Sequence, residues 1–342
     1  MIEPEASAPP PSRWMKFINR CLSLGVLLLL LATTGCLLKS VHFLGDRCVH
    51  FTAYWAIASA ALILLALALK RRRKAAILFV LLAFHLQPLA MLWISDEAPK
   101  AAGDHELSVI SAHLYANNLR RPEAVATLLA LDSDVLLLLE VSKEWAPALK
   151  PLLEKYPHHL GVEGSEWLLS RHPLLKPERI EITAEAIAKL NGSTPSAAWD
   201  NDALLKANIV VDGKPIRMLG IHPPIPGGSP RFKQQFAQAS AYKSAMEATP
   251  EVSAQLIIGD FNTTAFSAIF NEMKTKLNLR NAAAGYGYRV TWGPRLPREP
   301  ILPWLGIPID HALVSDVVQV VNVELGETPG SDHRWQRIRL KF

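Results

Sequence analysis

The sequence predicts an α/β fold of two β-sheets flanked by helices, preceded by three membrane-spanning helices. Three observations carry that expectation. Long charge-free apolar runs crowd the first hundred residues. From Glu106 onward, short apolar runs alternate irregularly with helical stretches. Polar residues recur where those runs end.

Cys21–Leu38, Val49–Leu69 and Ala75–Ser95 hold 18, 21 and 21 residues without Asp, Glu, Lys or Arg. That approaches the roughly 20 residues a helix needs to cross a hydrocarbon core. Between the second and third runs stands Lys70-Arg71-Arg72-Arg73-Lys74, and Arg13, Lys16 and Arg20 precede the first. Basic loops stay cytoplasmic, so this pattern places the chain after Ser95 outside the cytoplasm. The expected organisation is a cytoplasmic basic tail over residues 1–20, an anchor over 21–95, a linker over 96–105 and a globular domain over 106–342. A lipoprotein signal ending in the TTGC of Thr33–Cys36 competes with the first span. Thr33 is a poor start for such a cleavage site, and processing there would still leave the domain outside.

Charge divides along the same boundary. The chain carries a net +5, but residues 1–100 supply +6 and residues 101–342 total −1. A near-neutral domain lacks the broad basic excess of proteins that grip nucleic acid non-specifically. All three cysteines, Cys21, Cys36 and Cys48, fall in the anchor, so the domain has neither a disulfide framework nor a thiol nucleophile.

In the domain, strands are expected at Leu107–Leu114, Val135–Leu139, Trp167–Ser170 and Ala254–Ile258. A hairpin turns at Asp212-Gly213 between Ala203–Val211 and Pro215–Ile221. Late strands fit Pro308–Val314, Val317–Glu324 and Trp335–Phe342, and helices fit Arg121–Leu131, Trp145–Lys155 and Arg231–Ala248. The absence of a regular strand–helix alternation argues for a sandwich over a doubly wound sheet.

Chemistry gathers at the strand ends. Glu140 closes one apolar run, His222 a second, and Asp260 with Asn262 a third; Asp310 opens a late strand, and Asp332-His333 precedes the last. A charge at a buried strand tip is costly unless paired or bound to a metal. Several converging tips would form an oxygen-rich pocket suited to Mg²⁺ or Mn²⁺, with imidazoles beside it. Each residue alone is as readily a solvated strand end or a loop residue; the set of them argues for a site.

Those residues sit in the words DVLLLLEV (134–141), LLSRHPL (168–174), GIHPP (220–224), GDFN (259–262), TW (291–292), IDHALVSD (309–316) and GSDHR (330–334). In that order they resemble the endonuclease/exonuclease/phosphatase superfamily, and the three-span anchor resembles a bacterial membrane-bound branch of it. The resemblance implies a four-layer deoxyribonuclease-I-like sandwich and a divalent-metal phosphoester hydrolase at the bacterial plasma membrane. It implies Glu140 as principal metal ligand and Asp332 as a further metal or structural carboxylate. It assigns Asp260 to the attacking water and Asn262 to water and phosphate oxygens. It places His333 at the phosphate with Asp310 orienting it, and His222 as a proton donor to the leaving group.

Two positions depart from the family pattern. His113 stands where an Asn usually helps hold the metal, which moves the expected preference towards softer cations such as Mn²⁺ or Zn²⁺, unless Asn117 substitutes or the site is impaired. Leu139 replaces a Gln that supports the metal-binding Glu. The expected substrate is a phosphoester: a lipid head group, a small phosphodiester or nucleic acid. The expected partners are that substrate and the bilayer; nothing points to a protein partner. The rivals are a membrane-tethered nuclease, a silent phosphate-binding module, and a transporter subunit suggested only by His85, Gln87 and Pro88.

Overall fold

A computed structural model describes residues 12–95, 103–161, 165–196, 202–247, 252–294 and 302–342. The Pro-rich tail up to residue 11 and most of the expected linker, 96–102, lie outside the described residues.

The N-terminal part consists of α1 (Arg13–Leu37), the short α2 (Phe43–His50), α3 (Thr52–Ala68) and α4 (Arg72–Met91). Helices α1 and α4 are each long and apolar enough to cross a membrane; α2 and α3 form a pair bent by 66° that counts as a third span only if taken together. The expected middle span, Val49–Leu69, is therefore not one straight helix. Leu22, Val26 and Leu29 of α1 pack with Ile63 and Ala66 of α3 and with Leu78 and Leu81 of α4.

Six strands form the first sheet: β1 (Glu106–His113), β2 (Val135–Val141), β3 (His158–Gly161), β4 (Ser165–Ser170), β11 (Gln319–Glu327) and β12 (Arg334–Lys341). The second holds β5 (Leu174–Ile182), β6 (Asp202–Val211), β7 (Lys214–Ile221), β8 (Ala254–Asp260), β9 (Arg280–Asn281) and β10 (Asp310–Val314). Their orders are β11-β12-β1-β2-β4-β3 and β5-β6-β7-β8-β10-β9. Helices α5 (Arg121–Leu131) and α6 (Ala146–Lys155) cover the first sheet. Helices α7 (Ala184–Asn191), α8 (Ser229–Ala245) and α9 (Ala268–Leu277) cover the second.

The apolar run at 135–139 explains the layering. Val135, Leu137 and Leu139 face the second sheet, where they meet Met218, Leu256 and Ile258. Leu136 and Leu138 face outward onto Leu128 of α5 and Leu149 of α6. A strand buried on both faces has no polar side to show, hence the unbroken leucines. On the far side, Leu219, Ile257 and Leu313 pack under Tyr242 of α8 and Ile269 of α9. The result is the expected sandwich of helices, sheet, sheet and helices.

Each sheet contains one parallel pair. β1 and β2 pair in parallel around α5, and β7 and β8 around α8. The carboxyl ends of all four strands meet at one edge of the sandwich, where open α/β sheets tend to receive ligands.

Candidate active site

That edge carries the predicted residues. His113 is the last residue of β1, His222 follows β7 directly, and Asp260 ends β8. Glu140 lies inside β2, one strand position beyond the expected end, at φ +55°, where the pairing with β4 shifts register. The resulting bulge re-aims the side chain.

Gly259 explains why Asp260 comes so close to His222. Its φ is +151°, and a Cβ there would lie 1.9 Å from the Ile221 carbonyl oxygen. Only glycine allows β8 to pass β7 at that spacing. Asn262 then turns the chain at φ +49°, a conformation asparagine tolerates better than most residues. Its backbone N–H donates to Asp260 Oδ1 at 2.7 Å, and its side-chain amide donates to the Pro223 carbonyl at 2.9 Å. Asn262 thereby ties the loop after His222 to the loop after Asp260.

The side chains converge. His113 Nε2 lies 3.5 Å from Glu140 Oε1 and 4.0 Å from Asp260 Oδ2. Asp260 Oδ2 is 3.7 Å from His222 Nε2 and 3.8 Å from His333 Nε2. The His113 and His333 rings stack with centroids 4.0 Å apart, and His222 meets His113 edge-on at 5.2 Å. Asp310 sits behind the cluster, its Oδ2 2.9 Å from His333 Nδ1. Thr291 fixes Asp310, its hydroxyl accepting from the N–H groups of residues 309 and 310 at 3.0 Å each.

Asp332 Oδ2 accepts from Trp292 Nε1 at 3.1 Å, while its Oδ1 is buried with no partner among the described residues. Asp332 and His333 line the same cleft, just before β12 begins at Arg334. Asn118 is engaged elsewhere, its amide donating to the carbonyls of Leu114 and Pro329, and Asn117 is exposed. Neither asparagine lines the cleft, whereas His113 does.

Environment divides the three imidazoles. Burial pushes His113 well below the ordinary range, and the neighbouring His333 and His222 push the same way, so it is neutral. Burial also opposes charge on His222, but Glu166, Asp260 and Glu140 outweigh it and raise the group to about 9. His333 likewise overcomes burial through Asp310, then Asp260 and Asp332, and stands at about 9. Burial and the Asp310 charge lift Asp260 to about 6, against the two histidines.

Glu166 had no signal in the sequence. It is the second residue of β4, and its Oε1 lies 3.7 Å from His222 Nδ1, a longer counterpart of the 2.9 Å Asp310–His333 contact.

A divalent cation fits this donor set. The ligand atoms of His113, Asp260 and His333 lie within 4.8 Å of one another, as do those of His113, Glu140 and His222. His113 belongs to both groups, and the carboxylates of Asp260 and Glu140 to one each. Asp332 is in neither set.

His113, Glu140, His222, Asp260, Asn262, Asp332 and His333 line one cleft of about 780 Å³. The "Endonuclease/Exonuclease/phosphatase family" model matches residues 114–333. No curated protein is recognisably similar to the chain in sequence. Among solved structures, an endonuclease/exonuclease/phosphatase family protein from Bacteroides thetaiotaomicron superposes with a TM-score of 0.54 at 16% identity, covering 69% of this chain and 98% of its own. D. rerio TDP2 complexed with a single-strand DNA product gives 0.53 at 16%, covering 70% and 100%. A mannosyl-6-phosphatase from B. thetaiotaomicron gives 0.51 at 15%, covering 69% and 100%. At such identities the structural likeness establishes the fold alone.

Proposed function

The chain belongs to the endonuclease/exonuclease/phosphatase family, whose members hydrolyse phosphoesters, and from that premise we propose that it is a divalent-metal-dependent phosphoester hydrolase of the bacterial plasma membrane. In this reading the anchor crosses three times, with the α2–α3 pair as the bent middle span, and the catalytic cleft lies outside the cytoplasm. The basic link Lys70–Lys74 between the second and third crossings supports that orientation.

One observation carries the enzymatic reading. A neutral imidazole and two carboxylates share a cleft with two histidines, each backed by its own carboxylate. A phosphoester is anionic and repels a nucleophile, so positive charge must precede attack. His113 and Glu140 would hold the cation, which when bound neutralises charge on the phosphoryl oxygens. Asp332, with an unpartnered buried oxygen, would be a further carboxylate supporting the cation.

Asp260 Oδ2 would align the attacking water and accept its proton; its raised pKa matches it to that task near neutral pH. The Asn262 side-chain oxygen would bind water and phosphate oxygens, while its amide holds the Pro223 carbonyl. His333, kept cationic by Asp310, binds the developing negative charge. His222, kept cationic by Glu166, donates a proton to the departing oxygen.

The test is hydrolysis of an aryl phosphodiester by the full-length protein in detergent with Mg²⁺ or Mn²⁺. Asp260→Ala and His333→Ala should each lose about 10²-fold or more in kcat. Rates equal to wild type in both would leave a phosphate-binding module. A C-terminal reporter active only outside the cytoplasm checks the topology.

A further inference from the structure

One wall of the cleft comes from the anchor. Arg47, His50 and Phe51 line it together with the catalytic residues. They occupy the end of α2 and its bend into α3.

Polar contacts fix α2 to the catalytic fold. Asp46 is 1% exposed and accepts from Ser267 Oγ at 2.7 Å and from the Ala268 N–H at 3.0 Å, so it adds an anion to the first turn of α9. His50 Nδ1 lies 3.0 Å from Thr264 Oγ1, and Lys39 Nζ donates to the Phe266 carbonyl at 2.7 Å. Arg47 Nη2 donates to the Gly227 carbonyl at 3.0 Å. Thr264, Phe266 and Ser267 follow Asn262 closely in the chain, and Gly227 lies in the loop after His222. Helix α2 thus grips both loops that the Asn262 amide joins. On its other side a Cβ on Gly45 would fall 2.7 Å from the backbone of Gly35 and Leu38, so α2 is wedged between α1 and the catalytic fold.

The chemistry of this rim is two arginines, Arg47 and Arg231, beside apolar surface. Phe51 is 45% exposed and Ile225 62% exposed, with Pro223, Pro224 and Ile307 beside them. Along α3, Ile57 and Leu64 are 66% and 70% exposed. A nucleic-acid strand would be tracked by a row of cations. Apolar surface beside the catalytic cluster, carried on the bent α2–α3 pair, suits a molecule that keeps its hydrocarbon in the bilayer.

We infer that α2 is a substrate-selecting wall, and that the substrate is a phospholipid-type phosphoester. Its phosphate enters beneath Arg47, His222 and His333, while its acyl chains lie along Phe51 and Ile225. This rests on the hydrolase reading above and makes the anchor part of the binding site as well as a tether.

The test uses the full-length protein in mixed micelles with Mn²⁺. Three substrates are compared by ³¹P NMR: dioleoyl phosphatidylglycerol, its deacylated glycerophosphodiester, and an aryl phosphodiester. Single-stranded DNA cleavage is followed on gels. Wild type should prefer the acylated to the deacylated ester by about tenfold or more in kcat/KM. Arg47→Ala and Phe51→Ser should each lower that ratio by about tenfold, and Arg47→Lys should recover part of it. Hydrolysis of the aryl ester without a preference for acyl chains, a ratio that neither variant moves, or DNA as the faster substrate overturns the inference and leaves the hydrolase standing. Hydrolysis of none of the four overturns both.

Discussion

Replacing Asp310 by Asn separates the charge of one contact from its shape. Asp310 Oδ2 stands 2.9 Å from His333 Nδ1, with side chains 3% and 4% exposed, and Asn can keep an oxygen acceptor there. Only the negative charge is lost. Burial opposes charge on His333, and Asp310, with Asp260 and Asp332 adding to it, raises the group from 6.5 to about 9. The combined rise is worth on the order of 3 kcal/mol in favour of the imidazolium, with Asp310 the largest contributor to it. At pH 7.5 roughly 97% of His333 is then cationic. The sign follows directly: wild-type activity is lost as pH rises through about 9, and in the variant that loss should move to lower pH. At pH 7.5, kcat/KM for the aryl phosphodiester should fall at least about tenfold, and up to about 10³-fold if transition-state binding goes with the charge. The assay is kcat/KM between about pH 5.5 and 9.5 at saturating Mn²⁺, alongside a melting curve to verify folding. An alkaline limb that stays near its wild-type position in Asp310→Asn would refute the role given to this pair.

Three further outcomes are expected. His113→Asn replaces a nitrogen ligand by an amide oxygen, so Mg²⁺-supported activity should gain on Mn²⁺-supported activity by several-fold; an unaltered ratio in metal titrations would remove His113 from the cation site. Gly259→Ala should lower stability by about 2–4 kcal/mol, read as a drop in melting temperature, because its Cβ meets the Ile221 carbonyl at 1.9 Å and its φ is +151°; a melting temperature like that of wild type would contradict the close β7–β8 approach. His311 is buried, bonded through Nε2 to the Thr263 carbonyl, and depressed by burial to about 4. Its contribution to stability is intact above about 6.5 and is lost as pH falls towards 4, on the order of 3 kcal/mol, so His311→Gln should flatten the acid side of the melting-temperature profile.

The catalytic strands were readable because their chemistry is written at the ends of apolar runs. A run such as Val135–Leu139 needs burial on both faces, and a carboxylate directly after it must emerge at an edge. Helix α5 matched its expected bounds, closed by Asp132 at φ +53°. Elements with little burial left weaker traces. Strand β5, LLKPERIEI, lies at a sheet edge with most of its residues exposed or half-exposed, so no alternation marks it. Glu166 is the second residue of the strand SEWLLS, and only the fold brings it to His222. The middle anchor run is apolar throughout, and hydropathy is blind to the 66° bend near Phe51.

Helix α2 marks where reading from sequence stops, for a physical reason. Between two apolar runs, the stretch HFLGDRCVH looks like a polar connecting loop, and polar loops are expected to face water. Yet Asp46 and His50 are buried, because Ser267, Ala268 and Thr264 supply the hydrogen bonds that water would otherwise give. Docking through polar groups leaves no hydrophobic period in the helix that docks, since the signal is split between two segments over two hundred residues apart. A charge-based reading can say which side of the membrane such a loop faces. It takes coordinates to find that the same loop closes the cleft around Asp260, and a soluble fragment beginning near Glu106 would therefore present the catalytic cluster with one wall removed.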